Sequence, residues 1–319
     1  MTTTYALSIV APCYNEAEGL GAFVARMTAA ASAVVGENYE LILVDDGSRD
    51  RTWAVMSELG KAHPAIVAVR LSRNHGHQLA VTAGLSLVRG DKIMVIDADL
   101  QDPPELVGDM IARLDEGFDV VFGRRRRRAG ESPFKRATAS LFYRTLAALS
   151  EHDIPVDTGD FRLMSRRIVD RLNAMPERDR FIRGMVAWLG GRQTELLYDR
   201  DARHAGVTHY TLRRMVRLAA DGLIGFSTAP LRLATLMAVI GVFAGVGLLA
   251  YIVAGLIVGS TVPGWASLAL IVVFFSTAQL VCLSIFGEYL GRTYMQAKGR
   301  PLYLIDEIAC VTGPSEAKR

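Results

Sequence analysis

Two carboxylates spaced two apart end an apolar run in Ile93-Met94-Val95-Ile96-Asp97-Ala98-Asp99-Leu100-Gln101-Asp102-Pro103-Pro104-Glu105. Ionised acids this close repel one another, and a hard divalent cation with oxygen ligands relieves the repulsion. Mg²⁺ or Mn²⁺ held there could neutralise a departing diphosphate. Asp-x-Asp also suits a solvated turn, so its weight depends on where it falls and what accompanies it.

Four further polar clusters accompany it: Pro12-Cys13-Tyr14-Asn15-Glu16, Asp45-Asp46-Gly47-Ser48, Arg73-Asn74-His75-Gly76 and Asp157-Thr158-Gly159-Asp160-Phe161-Arg162-Leu163. The hydrophobic pattern predicts strands at 6–11, 40–44, 65–71, 92–96 and 119–122. Amphipathic helices are expected between them, at 18–35, 52–62, 78–88 and 104–116. Such alternation predicts an α/β domain with a mostly parallel, Rossmann-like sheet and helices on both faces. Ligands bind beyond the carboxyl ends of such strands, which is where the first three clusters and the two acids fall. One cleft collects them. No Gly-x-Gly-x-x-Gly follows the first strand, which argues against a dinucleotide fold. His75 and His77 have no third ligand beside them, so no zinc site is expected.

After 122 the alternation stops. A basic loop, Gly123-Arg124-Arg125-Arg126-Arg127-Arg128, precedes an amphipathic helix at 134–149. A strand-like element at 157–163, helices at 165–175 and 178–191, and a strand at 193–198 follow. Arg178, Arg180, Arg183, Arg200 and Arg203 form a second basic group, read equally well as phosphate contacts or as surface charge. A basic amphipathic segment at 211–226 is suited to a membrane interface.

The chain has 319 residues and a formal charge of +3, too near neutral to argue for a nucleic-acid partner. Its charge is unevenly spread: no Asp, Glu, Lys, Arg or His occurs from Leu233 to Gly287. About 20 apolar residues already span a bilayer, so two transmembrane helices are expected, at 233–258 and 265–287. Basic residues flank both sides of this region, Arg213, Arg214, Arg217 and Arg232 before it and Arg292, Lys298 and Arg300 after it. By the positive-inside rule both termini and the catalytic domain are cytoplasmic, in a multi-pass protein of the inner (plasma) membrane. The N-terminus lacks the basic start of a signal peptide, and Cys13, Cys282 and Cys310 show no pairing or metal-ligand spacing.

The ordered set Pro12-x-Tyr14-Asn15-Glu16, Asp45-Asp46-Gly47-Ser48, Asp97-Ala98-Asp99-Leu100-Gln101-x-Pro103-Pro104-Glu105 and Gly159-Asp160-Phe161-Arg162-Leu163 resembles the family 2 glycosyltransferases of GT-A fold. Within them it is most similar to the polyprenyl-phosphate glycosyltransferases, the bactoprenol glucosyltransferases and dolichol-phosphate mannose synthases. The resemblance implies a GT-A domain over 1–210, an interfacial helix over 211–230, the two-helix hairpin over 231–290 and a tail over 291–319. It implies inverting transfer of a sugar, glucose from a UDP-linked donor, to polyprenyl (undecaprenyl) phosphate with Mg²⁺ or Mn²⁺. The partners are then the nucleotide-sugar, the polyprenyl phosphate, the bilayer and further copies of the chain, with no nucleic acid.

Residue roles follow from resemblance and chemistry together. Pro12, Tyr14, Asn15, Glu16, Asp45 and Asp46 are expected to form the donor pocket, the carboxylates accepting hydrogen bonds from base or ribose. Asp99 is expected to ligate the metal with Gln101 as a second ligand, and Asp97 to face the ribose or sugar. Asp160 stands at the family's catalytic carboxylate, as a base or as an orienting group. Arg124, Arg125 and Arg162 are expected at the acceptor phosphate, because an arginine fork suits a phosphate. Glu105 is read either as functional or as serving the helix dipole. His209 stands where the family often carries Lys, which weakens an acceptor contact there. Two rivals remain open: a processive polysaccharide synthase, whose Gln-x-x-Arg-Trp motif this chain lacks, and a non-catalytic nucleotide-sugar-binding scaffold.

Overall fold

The first strand, β1 (Tyr5–Cys13), sends Leu7, Ile9, Ala11 and Cys13 into one apolar layer and Val10 into another. A strand covered on both faces is what a helix-sandwiched parallel sheet requires. The computed structural model describes residues 5–126, 158–199, 229–258 and 264–309. After β1 come α1 (Leu20–Val35), β2 (Tyr39–Asp45), α2 (Thr52–Ala62), β3 (Ile66–Leu71), α3 (His77–Leu87) and β4 (Gly90–Val95). A 3₁₀ turn (Pro104–Leu106) leads into α4 (Val107–Asp115) and β5 (Val120–Arg125). Then follow β6 (Thr158–Ser165), α5 (Arg166–Ala174), α6 (Ile182–Leu189) and β7 (Gln193–Tyr198). The last elements are α7 (Ala229–Val258), α8 (Trp265–Ala297) and β8 (Ile305–Ala309).

The sheet has the order β7-β5-β6-β4-β1-β2-β3-β8. Its β3-β2-β1-β4 half is parallel throughout, and β5 pairs with β7 in parallel. Strand β6 enters antiparallel between β4 and β5, and β8 closes the far edge antiparallel to β3. The expected mostly parallel sheet is therefore a mixed one. Beyond β1 and β4, adjacent strands whose connections leave in opposite directions, a crevice opens, and the acidic motif follows β4 directly.

The chain forms two compact units: 1–143 with 152–209 and 301–319, and 144–151 with 210–300. In the second, α7 and α8 pack together, the Cys282 thiol lying 3.6 Å from the Ala234 carbonyl. Here the sequence-based expectation is corrected. Among the described residues no helix is long and apolar enough to cross a membrane. The transmembrane hairpin, and the multi-pass inner-membrane placement with both termini cytoplasmic, are thus not upheld. Helix α8 carries Gln279, Glu288 and Arg292 along its length, with Arg292 bonded to Glu288 at 3.1 Å. The expected helices at 134–149 and 211–226, Arg127, Arg128, Arg200, Arg203, His209 and Cys310 lie outside the described residues.

Candidate active site

Three loops at the strand ends are stitched to one another by backbone-to-side-chain bonds. Asn15 takes up a left-handed conformation (φ 57°), which asparagine tolerates better than most residues. Its N–H donates to Ser48 Oγ (3.0 Å) and its Oδ1 accepts from Arg49 N (2.9 Å). Glu16 N donates to Thr52 Oγ1 at 2.9 Å. Asp45 is fully buried and accepts from Ser48 N at 2.9 Å. Asp46 receives the N–H groups of His75 (2.7 Å) and Gly76 (2.9 Å), one on each oxygen. Burial raises the Asp46 pKa, while these two amides work against the rise. Gly47 is more than a turn residue: a Cβ there would stand 2.5 Å from the backbone of Arg73 and Asn74.

The acidic motif turns sharply after Asp99. Leu100 is left-handed (φ 58°), a strained state for a bulky side chain and one that concentrates at functional sites. The turn lets Gln101 N donate to Asp99 Oδ1 at 3.1 Å. Asp97 Oδ1 is buried without a hydrogen-bond partner among the described residues. Loss of solvation pushes the Asp97 pKa up to about 6; His77 opposes the rise, and Asp160, Asp102 and Asp99 add to it.

Asp160 lies at the centre of the most densely bonded group. Its Oδ2 is 2.9 Å from His77 Nε2 and accepts from Gln78 Nε2 at 3.0 Å. Its Oδ1 accepts from Arg183 Nε at 2.8 Å, and Arg162 Nη2 lies 3.9 Å away. Burial disfavours its charge, yet the His77 bond and the two arginines hold its pKa far below the ordinary carboxylate range. His77 in turn is raised: burial works against its charge, but the bond to Asp160 and the charge of Asp97, 3.7 Å away, outweigh it. Pro12, Tyr14, Glu16, Asp46, His77, Asp97 and Asp99 line a cleft of about 350 Å³, within the range of small-ligand sites.

A family model described as glycosyl transferase family 2 matches residues 8–172, which holds every one of these motifs. The chain belongs to glycosyl transferase family 2. The transferase is 43% identical over 303 residues to the uncharacterized glycosyltransferase YkcC of Bacillus subtilis, covering 94% of this chain and 93% of the relative. It is 35% identical over 305 residues to the prophage bactoprenol glucosyl transferase homolog of Escherichia coli, covering 95% and 99%. The bactoprenol glucosyl transferase of Shigella phage SfII is 35% identical over 303 residues, covering 94% and 97%.

The transferase brings most of its sequence-predicted site residues to the strand ends, but not all. Arg162 is buried in the sheet, donating to Gly159 O at 3.0 Å, with its pKa lowered by burial to about 10. Arg124 pairs with Glu195 across β5 and β7 at 2.7 Å. Arg125 lies 3.4 Å from Tyr198 Oη and 3.8 Å from the buried Asp102. Gln101 meets Asp99 through its backbone and is not among the residues lining the cleft. Among the described residues no group of three or more His, Cys, Asp or Glu is arranged to hold a metal by itself. Sequence reasoning missed Gln78 and Leu100 altogether, set His77 aside as a failed zinc ligand and left Arg183 as an undifferentiated basic residue. A left-handed leucine leaves no signal in a sequence; the Gln78 and Arg183 contacts are long-range.

Proposed function

We propose that this transferase moves a hexose, glucose in our reading, from a UDP-linked donor to polyprenyl phosphate. The observation that carries the reading is 35% identity over nearly the whole chain to proteins named bactoprenol glucosyl transferase. The cleft chemistry is in keeping with it. Tyr14 offers an aromatic face to a base, and Asp46 and the 12–16 loop form the nucleotide pocket; Asp45, expected there too, is fully buried and holds the 45–48 turn behind it. Asp97 and Asp99 approach where a diphosphate would leave.

The residues present fit a divalent cation. Among the described residues Asp97 has a buried oxygen without a hydrogen-bond partner, and burial first and its acidic neighbours second make its charge costly. Mg²⁺ commonly takes one or two carboxylates and completes its shell with substrate phosphates and water, so no all-protein cage is needed. Asp97 and Asp99 would hold the ion, with Gln101 beside them. Bound there, it would supply charge neutralisation for the departing nucleoside diphosphate.

The chain's own residues do the rest. A phosphate monoester has a second pKa of about 6 and is largely a dianion at neutral pH, so the acceptor needs no base. Asp160, held by four side chains and with a pKa far below neutral, is a poor proton acceptor and a good anchor. It orients His77 and also Arg183, whose positive charge suits a phosphate, and Arg124 and Arg125 extend that basic edge. A scaffold that only binds would have no use for the strained turn at Leu100 or for the crowded acids. The test is UDP release from UDP-glucose with and without polyprenyl phosphate and Mn²⁺. Release that depends on both supports the reading. Binding of UDP-glucose with no release under any condition would favour the scaffold.

A further inference from the structure

Gln78, the second residue of α3, joins two elements far from it in sequence. Its Nε2 donates to Asp160 Oδ2 at 3.0 Å, and its Oε1 accepts the Ile182 backbone N–H at 2.9 Å. Ile182 opens α6, where the first N–H groups have no carbonyl partner within the helix. Arg183, next in α6, reaches Asp160 through Nε (2.8 Å) and Nη2 (3.3 Å). His77, the residue before Gln78, meets the same Asp160 oxygen and lines the cleft. A primary amide suits this junction because one end donates and the other accepts. An ionised carboxylate would satisfy Ile182 but turn an acceptor toward Asp160, and an aliphatic side chain would satisfy neither.

We propose that Gln78 is a positioning residue for sugar transfer: through Asp160 and the first turn of α6 it fixes His77 and Arg183 at the cleft. The inference rests on the transfer reading above and adds to it a residue that touches no substrate. The loops expected to hold the nucleotide have their own bonds, Asn15 to Ser48 and Asp46 to His75. Loss of Gln78 therefore slows turnover and leaves donor binding in place.

Two variants of the full chain test this, with UDP release from UDP-glucose followed from mildly acidic to mildly alkaline pH. A lost hydrogen bond to a charged group corresponds to roughly tenfold or more, so Gln78→Leu lowers kcat by about that factor at every pH with the UDP-glucose KM unchanged. Gln78→Glu falls as far at neutral and alkaline pH. Relative to wild type it recovers on the acid side, because the protonated carboxyl again donates one way and accepts the other. The charged groups around the introduced carboxyl are His77 on α3, Asp160 and Arg162 on β6, Arg183 on α6 and Asp97 beyond β4. A folding defect alone lowers the active fraction without this acid-side recovery, and thermal unfolding of both variants is followed alongside. The proposal is overturned if Gln78→Glu tracks Gln78→Leu at every pH, if either keeps the wild-type kcat, or if the UDP-glucose KM rises with the fall in kcat. A wild type that releases UDP without forming a lipid product overturns the acceptor reading instead, and donor hydrolysis still ranks the two variants.

Discussion

A Cβ on Gly84 would stand 2.3 Å from Val10 Cγ1. Helix α3 therefore seats against β1 at a distance that only glycine permits, and the same helix carries His77 and Gln78 at its first turn. Gly84→Ala forces Val10, Val44 or the helix to yield, at about 1–3 kcal/mol for overpacking a dense core. Denaturant unfolding is expected to show that loss, with transferase activity falling further than stability alone accounts for.

Asp160→Asn removes the charge that Arg183 and Arg162 face in a nearly solvent-free setting. Removing one partner of such a group costs about 3–5 kcal/mol. Because the native pKa is depressed, the stabilisation is fully present above the unfolded value of about 3.9 and fades as pH falls below it. The stability gap between wild type and variant is thus expected to widen as pH falls from neutral and His77, whose pKa Asp160 raises, takes up its proton, and to narrow only in stronger acid. A gap that narrows already near neutrality would contradict the depressed pKa.

Much of this arrangement is legible in the chain. Strands β1 to β4 read as apolar runs because both sheet faces are covered, and Asp45, Asp46, Asp97 and Asp99 fall at strand ends for the same reason. The alternation in Asp160-Phe161-Arg162-Leu163-Met164 also has a clear meaning: Phe161 and Leu163 join one core layer and Met164 the other. Its consequence for Arg162 was not legible, because only the antiparallel insertion of β6 between β4 and β5 shows that the strand is interior. Strand β8 is not legible in the sequence because Ile305-Asp306-Glu307-Ile308-Ala309 is short and acidic, and it is its pairing with β3 that makes it a strand. Glu105, read as either functional or electrostatic, makes a two-pronged pair with Arg26 at 2.9 Å, tying the turn after the acidic motif to α1. Pairings like this, and that of Gln78 with Ile182, join residues distant in sequence, which local periodicity does not record.

Arg124 and Arg125 are expected to differ once tested singly. The Arg124 pair with Glu195 is exposed and worth at most about 1 kcal/mol, so Arg124→Gln leaves stability nearly unchanged. Arg125→Gln leaves the buried Asp102 with less compensation and is expected to lower the melting temperature. If both arginines meet the acceptor phosphate as proposed, the double variant raises the KM for polyprenyl phosphate and leaves that for UDP-glucose in place. Unchanged constants would make them structural only.

Asp99→Asn isolates charge from shape. The amide oxygen can still accept from Gln101 N, so the turn at Leu100 is kept and the unfolding curve is expected to match wild type. Donor binding stimulated by Mn²⁺, followed by calorimetry, is expected to disappear.

The most direct measurement is mass analysis of the lipid recovered after wild type and Asp99→Asn are each incubated with polyprenyl phosphate, UDP-glucose and Mn²⁺. The lipid is expected to gain one hexose with wild type and none with the variant. An unmodified lipid in both reactions, or an equal yield of glycolipid from each, would contradict transfer to polyprenyl phosphate through this acidic cleft.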